Sequence, residues 1–103
     1  MDDLLEMTML YDFYGELLTK KQRSMFELYY MENHSLGEIA KNQGVSRQAV
    51  FDGLKKVKAK LFDWEKKVGY MAFYEKFKKL AAEVQEDPAV SAKLKNAVNK
   101  MFL

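Results

Sequence analysis

The chain contains no cysteine, one proline and five glycines among 103 residues. Without cysteine there are no disulfides and no thiolate metal sites, a usage that suits a reducing cytoplasm. Scarce proline and glycine leave helices free to run on. Long apolar runs are missing too, since none approaches the ~20 residues that cross a bilayer. The opening segment, MDDLLEM, is acidic, the wrong charge for a secretory signal. A cytoplasmic protein with no integral membrane segment is expected. Strict apolar–polar alternation is also absent, which argues against a sheet. Nothing pairs a nucleophile with a base, supplies a Gly-rich phosphate loop or clusters metal ligands. His34, the only histidine, lies in a polar link where a solvated side chain is expected. Asp2 and Asp3 suit the positive end of a helix dipole better than a catalytic pair. No enzyme, metal or cofactor is predicted.

What is present is apolar and helical. Hydrophobic residues make up 49% of the chain and aromatic ones 14%, enough for a core. They recur at helical spacing, which predicts an all-α fold. The first helix is expected from Asp2 or Asp3 to Leu17, with Leu4, Leu5, Met9, Leu10, Phe13, Tyr14 and Leu17 as its apolar face. A second opens at Thr19, where Gln22 completes a capping box. Met25, Phe26, Leu28 and Tyr29 carry it to about Met31.

The segment SLGEIAKNQGVSRQAV, Ser35 to Val50, is the most informative. Ser35 and Glu38 form a second capping box at the start of a short helix, about Leu36 to Gln43. Ile39 and Ala40 face inward, and Ala40 is small enough for another helix to cross close by. Gly44 ends the helix in a left-handed conformation. Val45 plugs the core and Ser46 caps the next helix. This is the order of a helix-turn-helix, in which Arg47 and Gln48 occupy the exposed first turn that meets base edges.

That second helix continues well beyond a short recognition helix. Val50, Leu54, Val57, Leu61, Trp64, Val68 and Met71 follow at heptad spacing. Tyr70, Phe73, Phe77, Leu80 and Val84 form an offset stripe after Gly69. Asp87 is expected to cap a last helix with Pro88 in its first turn, carrying Val90, Leu94, Ala97 and Met101. The organisation predicted is a helix-turn-helix domain over 1–68, with a recognition helix at about 47–68, and a C-terminal helical extension over 69–103. The stripes either pack within one chain or pair with a second copy, and Leu61, Trp64, Val68, Tyr70, Phe73 and Phe77 are the candidate dimer or partner interface. The aromatic, lysine-rich run from Tyr70 to Lys79 also suits docking of a partner protein or a membrane surface.

Charge is unevenly spread behind a net of +2. Residues 1–38 hold eight acids and three bases, a net of −5, whereas residues 39–81 hold eleven bases and four acids, a net of +7. The basic half begins near the recognition helix, which suits a polyanion, RNA or duplex DNA; a solvated lysine face is the alternative. Arg47 pairs well with guanine and Gln48 with adenine. Phe51, one turn on, either touches a thymine methyl, stacks on an unpaired base or packs beside Val50. Asp52 is expected to pair with Lys55 or Lys56. Lys55, Lys56, Lys58 and Lys60 suit phosphates, as do Lys20, Lys21 and Arg23 at the start of the second helix.

The run from Leu17 to Val50 resembles the DNA-binding fourth region of bacterial sigma factors. LYDFYGELLT (Leu10 to Thr19), ELYY (Glu27 to Tyr30), SLGEIA (Ser35 to Ala40) and VSRQAVFD (Val45 to Asp52) more closely resemble the YlxM family of small helix-turn-helix proteins, over roughly residues 10–60. The family usually has tyrosine in place of Phe51 and asparagine in place of Gly53. The resemblance implies a sigma-region-4-like bundle and a regulatory part in the signal recognition particle pathway, through its RNA or its protein components; the residues also leave open a sequence-specific DNA-binding transcription regulator, or a protein-interaction adaptor that has lost nucleic-acid binding.

Overall fold

A computed structural model describes residues 3–101, and among them there are six α-helices and no strand. Helix α1 spans Asp3–Tyr14; Asp2 lies outside the described residues. The expected continuation to Leu17 is a tighter 3-10 turn, Gly15–Leu17, closed by Leu18 N–H donating to Gly15 O at 3.0 Å. Helix α2 spans Lys20–Phe26 behind the expected capping box. Thr19 Oγ1 accepts from Gln22 N–H at 3.1 Å, and Gln22 Oε1 accepts from Thr19 N–H at 3.0 Å. From Glu27 to Met31 the helix widens into a π turn, in which Glu32 N–H reaches back to Glu27 O at 2.9 Å. Apolar spacing carries no signal for one wide turn, so the sequence reads as ordinary helix here although the side chains change direction. Asn33, with φ of 57°, then turns the chain.

Helix α3 spans Leu36–Gln43, and α4 spans Arg47–Val68. Ser35 Oγ accepts from Glu38 N–H at 3.1 Å, and the Glu38 carboxylate accepts from Ser35 N–H at 2.7 Å. Those bonds, the backbone one foremost, hold the Glu38 carboxyl below its usual range. Gly44 has a φ of 68°, left-handed as the turn demands. Ser46 Oγ accepts from Ala49 N–H at 3.0 Å. Gly69, also left-handed, stops α4. The expected continuous heptad stripe is therefore cut, and Met71 falls on the next helix.

Residues up to Gly69 form one compact unit, and those from Tyr70 a second. In the first, α4 lies against α1, α2 and α3. Val50, Leu54, Val57 and Leu61 meet Met7, Leu10, Tyr14, Leu18, Met25, Phe26, Ile39 and Ala40 in a fully apolar core. Leucine burial of this kind contributes about 1.5–3 kcal/mol per side chain. The buried stripe of α1 is Met7, Leu10 and Tyr14; Leu10 and Tyr14 belong to the expected face, but Leu4, Leu5 and, past the helix, Leu17 are exposed. Apolar residues ring most of α1, so spacing alone did not single out the stripe that meets the core. Tyr14 Oη donates to Glu65 Oε1 at 2.6 Å, tying α1 to the last turns of α4. Gly53 faces α2 so closely that an added Cβ would stand 2.7 Å from Met25 Sδ. Its helix-propensity penalty of about 0.5–1 kcal/mol is thus set against a close thioether contact.

The second unit holds α5, Tyr70–Glu86, and α6, Ala92–Lys100. Ala81 is buried and Tyr74, Phe77 and Val84 are half-buried. The expected stripes fit poorly here, because Tyr70, Phe73, Leu80, Leu94 and Met101 are exposed. Gln85 Nε2 donates to Lys95 O at 2.8 Å between the two helices. Asp87 does not cap α6. Its carboxylate accepts from Ala89 N–H at 2.9 Å in a local turn, and Ser91 Oγ accepts from Leu94 N–H at 3.2 Å as the cap. A short acidic side chain bonding two residues ahead competes with helix initiation.

Candidate nucleic-acid interface

The Ser46 cap fixes the first turn of α4, and Arg47 and Gln48 project from it into solvent. Arg47 lies along α3: a Cβ on Gly37 would sit 3.9 Å from its Cδ and Nε. Gln48 Nε2 donates to Asp52 Oδ1 at 3.1 Å. Asp52 therefore takes Gln48 as its partner in place of the expected Lys55 or Lys56. Lys55 instead places Nζ 5.5 Å from the centroid of the Phe51 ring, a cation–π distance. Phe51 is 45% exposed, so it belongs to the surface flank and not to the core beside Val50.

At 3.6 residues per turn, Arg47, Phe51, Lys55 and Lys58 share one flank of α4. Two shallow recesses open along it. Leu36, Arg47, Gln48 and Phe51 line one, and Tyr29, Tyr30, Leu36, Phe51, Leu54, Lys55 and Lys58 line the other. Neither lining includes a carboxylate. Tyr29, Tyr30, Leu36 and Leu54 were missed as site residues. The paired tyrosines beside a basic helix were the available signal, and the unseen π turn hid their placement. Lys56 and Lys60 are exposed on a different stripe of α4, away from this flank.

The second basic group is dispersed. Lys20 and Arg23 line a cleft with Asp12, Glu16 and Glu27. Three carboxylates against two cations make poor phosphate ground. In this cleft Tyr11 Oη donates to the Glu27 carboxylate. Burial first, then that bond and the Glu27 charge, push the phenol up to about 12. Lys21 is exposed outside the cleft, and its carbonyl accepts from Gln43 Nε2 at 3.5 Å.

Of the candidate interface residues, Leu61 is wholly buried in the first unit, which makes it a core residue and not a partner contact. Trp64 is half-buried and Val68 exposed on α4; Tyr70 and Phe73 are exposed and Phe77 half-buried on α5. Among the described residues no group of three or more His, Asp or Glu side chains is placed to hold a metal ion. No described helix is long and apolar enough to cross a membrane.

A capped short helix, a left-handed glycine turn and a second capped helix with an exposed first turn define an all-α helix-turn-helix protein. A family model described as "Putative helix-turn-helix protein, YlxM / p13 like" matches residues 1–101, and the chain belongs to this family, UPF0122. The match reaches far past residues 10–60, so the C-terminal helices belong to the family pattern. A UPF0122 protein of Caldanaerobacter subterraneus subsp. tengcongensis is 46% identical over 85 residues, 82% of this chain and 73% of that protein. One of Thermoanaerobacter sp. is 54% identical over 68 residues, 66% of this chain and 58% of its own length. One of Halalkalibacterium halodurans is 44% identical over 86 residues, 84% of this chain and 79% of that protein.

Proposed function

We propose that this is a non-enzymatic, cytoplasmic helix-turn-helix regulator that binds RNA or duplex DNA through one flank of α4 and acts in the signal recognition particle pathway. The observation that carries the binding is that flank, where Arg47, Phe51, Lys55 and Lys58 gather around two recesses free of carboxylates. Kinship with the YlxM-like family supports the pathway. Arg47 and Gln48 face bases, while Lys55 and Lys58, with Lys56 and Lys21 at the margins, neutralise phosphates. Lys20 and Arg23 contribute less, because Asp12, Glu16 and Glu27 share their cleft.

Titration against the particle's RNA, its GTPase and random duplex DNA tests the proposal. Binding to the RNA, weakened uniformly and with a salt slope lower by about 1 in Lys55→Ala, is expected. No effect on any pathway component would remove the pathway assignment. The exposed first turn of α4 favours a second reading, a sequence-specific transcription regulator. Selection from random duplexes would then return a motif, and Arg47→Ala would cost about 1–3 kcal/mol at one position of it.

A further inference from the structure

The recess formed by Tyr29, Tyr30, Leu36, Phe51 and Leu54, with Lys55 and Lys58 beside them, lies beyond the first turn of α4 that presents Arg47 and Gln48. It includes side chains one to three turns beyond Arg47, and its far wall comes from the π turn before α3. π turns are rare and concentrate at functional sites. This one brings two successive tyrosines to a single wall. The wall is anchored from the core outward. Tyr11 stacks on Phe26 at 4.3 Å, Phe26 on Tyr30 at 4.6 Å, and Tyr29 meets Tyr30 edge-on at 5.0 Å. Rings so held lose little freedom on binding. Yet Tyr29 is 39% exposed and Phe51 faces solvent across the recess.

Aromatic faces flanked by ammonium groups and free of carboxylates fit an unstacked base with its phosphates. The geometry points to this recess as the seat of one unpaired nucleobase from an RNA loop or bulge, stacked on Phe51 and Tyr29 while Lys55 and Lys58 take the neighbouring phosphates. A base within a duplex is already stacked and does not enter, whereas folded RNA displays unpaired bases in its loops. Lys55 rests over the Phe51 ring, an exposed contact that a stacked base readily replaces.

The inference rests on the nucleic-acid reading above, and its test separates the two. The probe is a short RNA hairpin with a fluorescent purine analogue in its loop, whose emission falls on stacking, compared with a blunt RNA duplex of the stem sequence. The native protein is expected to quench the analogue. Tyr29→Leu and Phe51→Leu, which keep apolar bulk and lose the π face, should lower the ratio of hairpin to duplex affinity about tenfold or more and abolish quenching. Tyr29→Phe and Phe51→Tyr should keep both. An unchanged ratio, or quenching that survives the leucine variants, overturns the recess while leaving duplex binding intact. A DNA hairpin bound as tightly as the RNA one overturns the choice of RNA. Phe51-dependent capture of the pathway's GTPase without RNA makes the recess a protein site and overturns it as well. If the native protein binds neither hairpin nor duplex, both this inference and the reading beneath it fall.

Discussion

Helix α4 in the first compact unit and α5 in the second are similarly amphipathic, yet the two units bury very different amounts. Up to Gly69, α4 has three helices to lie against, and its stripe of Val50, Leu54, Val57 and Leu61 disappears into a closed core. Beyond it, α5 and α6 have only each other within their unit, and Ala81 is the one described residue there that is fully buried. Phe73, Leu80 and Leu94 remain exposed. A helical stripe thus reports that a helix forms. How many neighbours stand ready to cover it is a property of the tertiary arrangement, and segments shorter than about 40 residues seldom supply enough of their own.

The sharpest test of this contrast is a pair of truncations. Leu61→Ala should destabilise the protein by about 2–5 kcal/mol in denaturant unfolding, whereas Phe73→Ala should stay within about 0.5 kcal/mol. A large effect at Phe73 would break the comparison and point to a second copy or a partner covering α5. Next in size, Tyr14→Phe removes the donor that meets Glu65 and should cost about 1–3 kcal/mol, read in the same unfolding curves. Ser35→Ala and Thr19→Ala each remove half of a capping box and should cost about 1 kcal/mol. Both caps lie in the first unit, so a comparable loss in Ser91→Ala would show that α6 is equally cooperative with the rest. Alkaline unfolding probes the Tyr11 cleft. The unfolded phenol ionises near pH 10 and the folded one near 12, so the unfolded chain sheds its proton first and stability falls as pH rises between those values. Tyr11→Phe should flatten that limb. The smallest change is expected from Gly53→Ala, where a helix gain of about 0.5–1 kcal/mol is offset by displacing the flexible end of Met25.

Much of the first unit was legible because its signals are local. Thr19 with Gln22, Ser35 with Glu38, Gly44 and Ser46 each act within one turn of chain, and each makes the bond or adopts the conformation that its residue type suggests. Misreadings arose where two local options compete or where the outcome is tertiary. Asp87 had both a helix to cap and a turn to close, and the turn prevailed. Leu5 and Met7 are equally apolar, and only the position of α4 decides that Met7 is buried while Leu5 is 72% exposed. Lys20 and Lys55 are the same residue type on basic helical segments. One faces three carboxylates from α1 and its neighbours, the other an aromatic ring, and no spacing rule distinguishes them. Arg47, Phe51, Lys55 and Lys58 fall on one face of a single helix, so their grouping was open to sequence reading. Tyr29 and Tyr30 escaped because a π turn sets their direction.

If α4 reads bases as proposed, the hydrogen bond from Gln48 to Asp52 is a latch on the reader. A glutamine amide that already holds a carboxylate must let go before it pairs with adenine, trading one bond for another, so little free energy is left to separate one base from the next. On the proposed reading, such an arrangement favours recognition of a target's outline over the letters written on it.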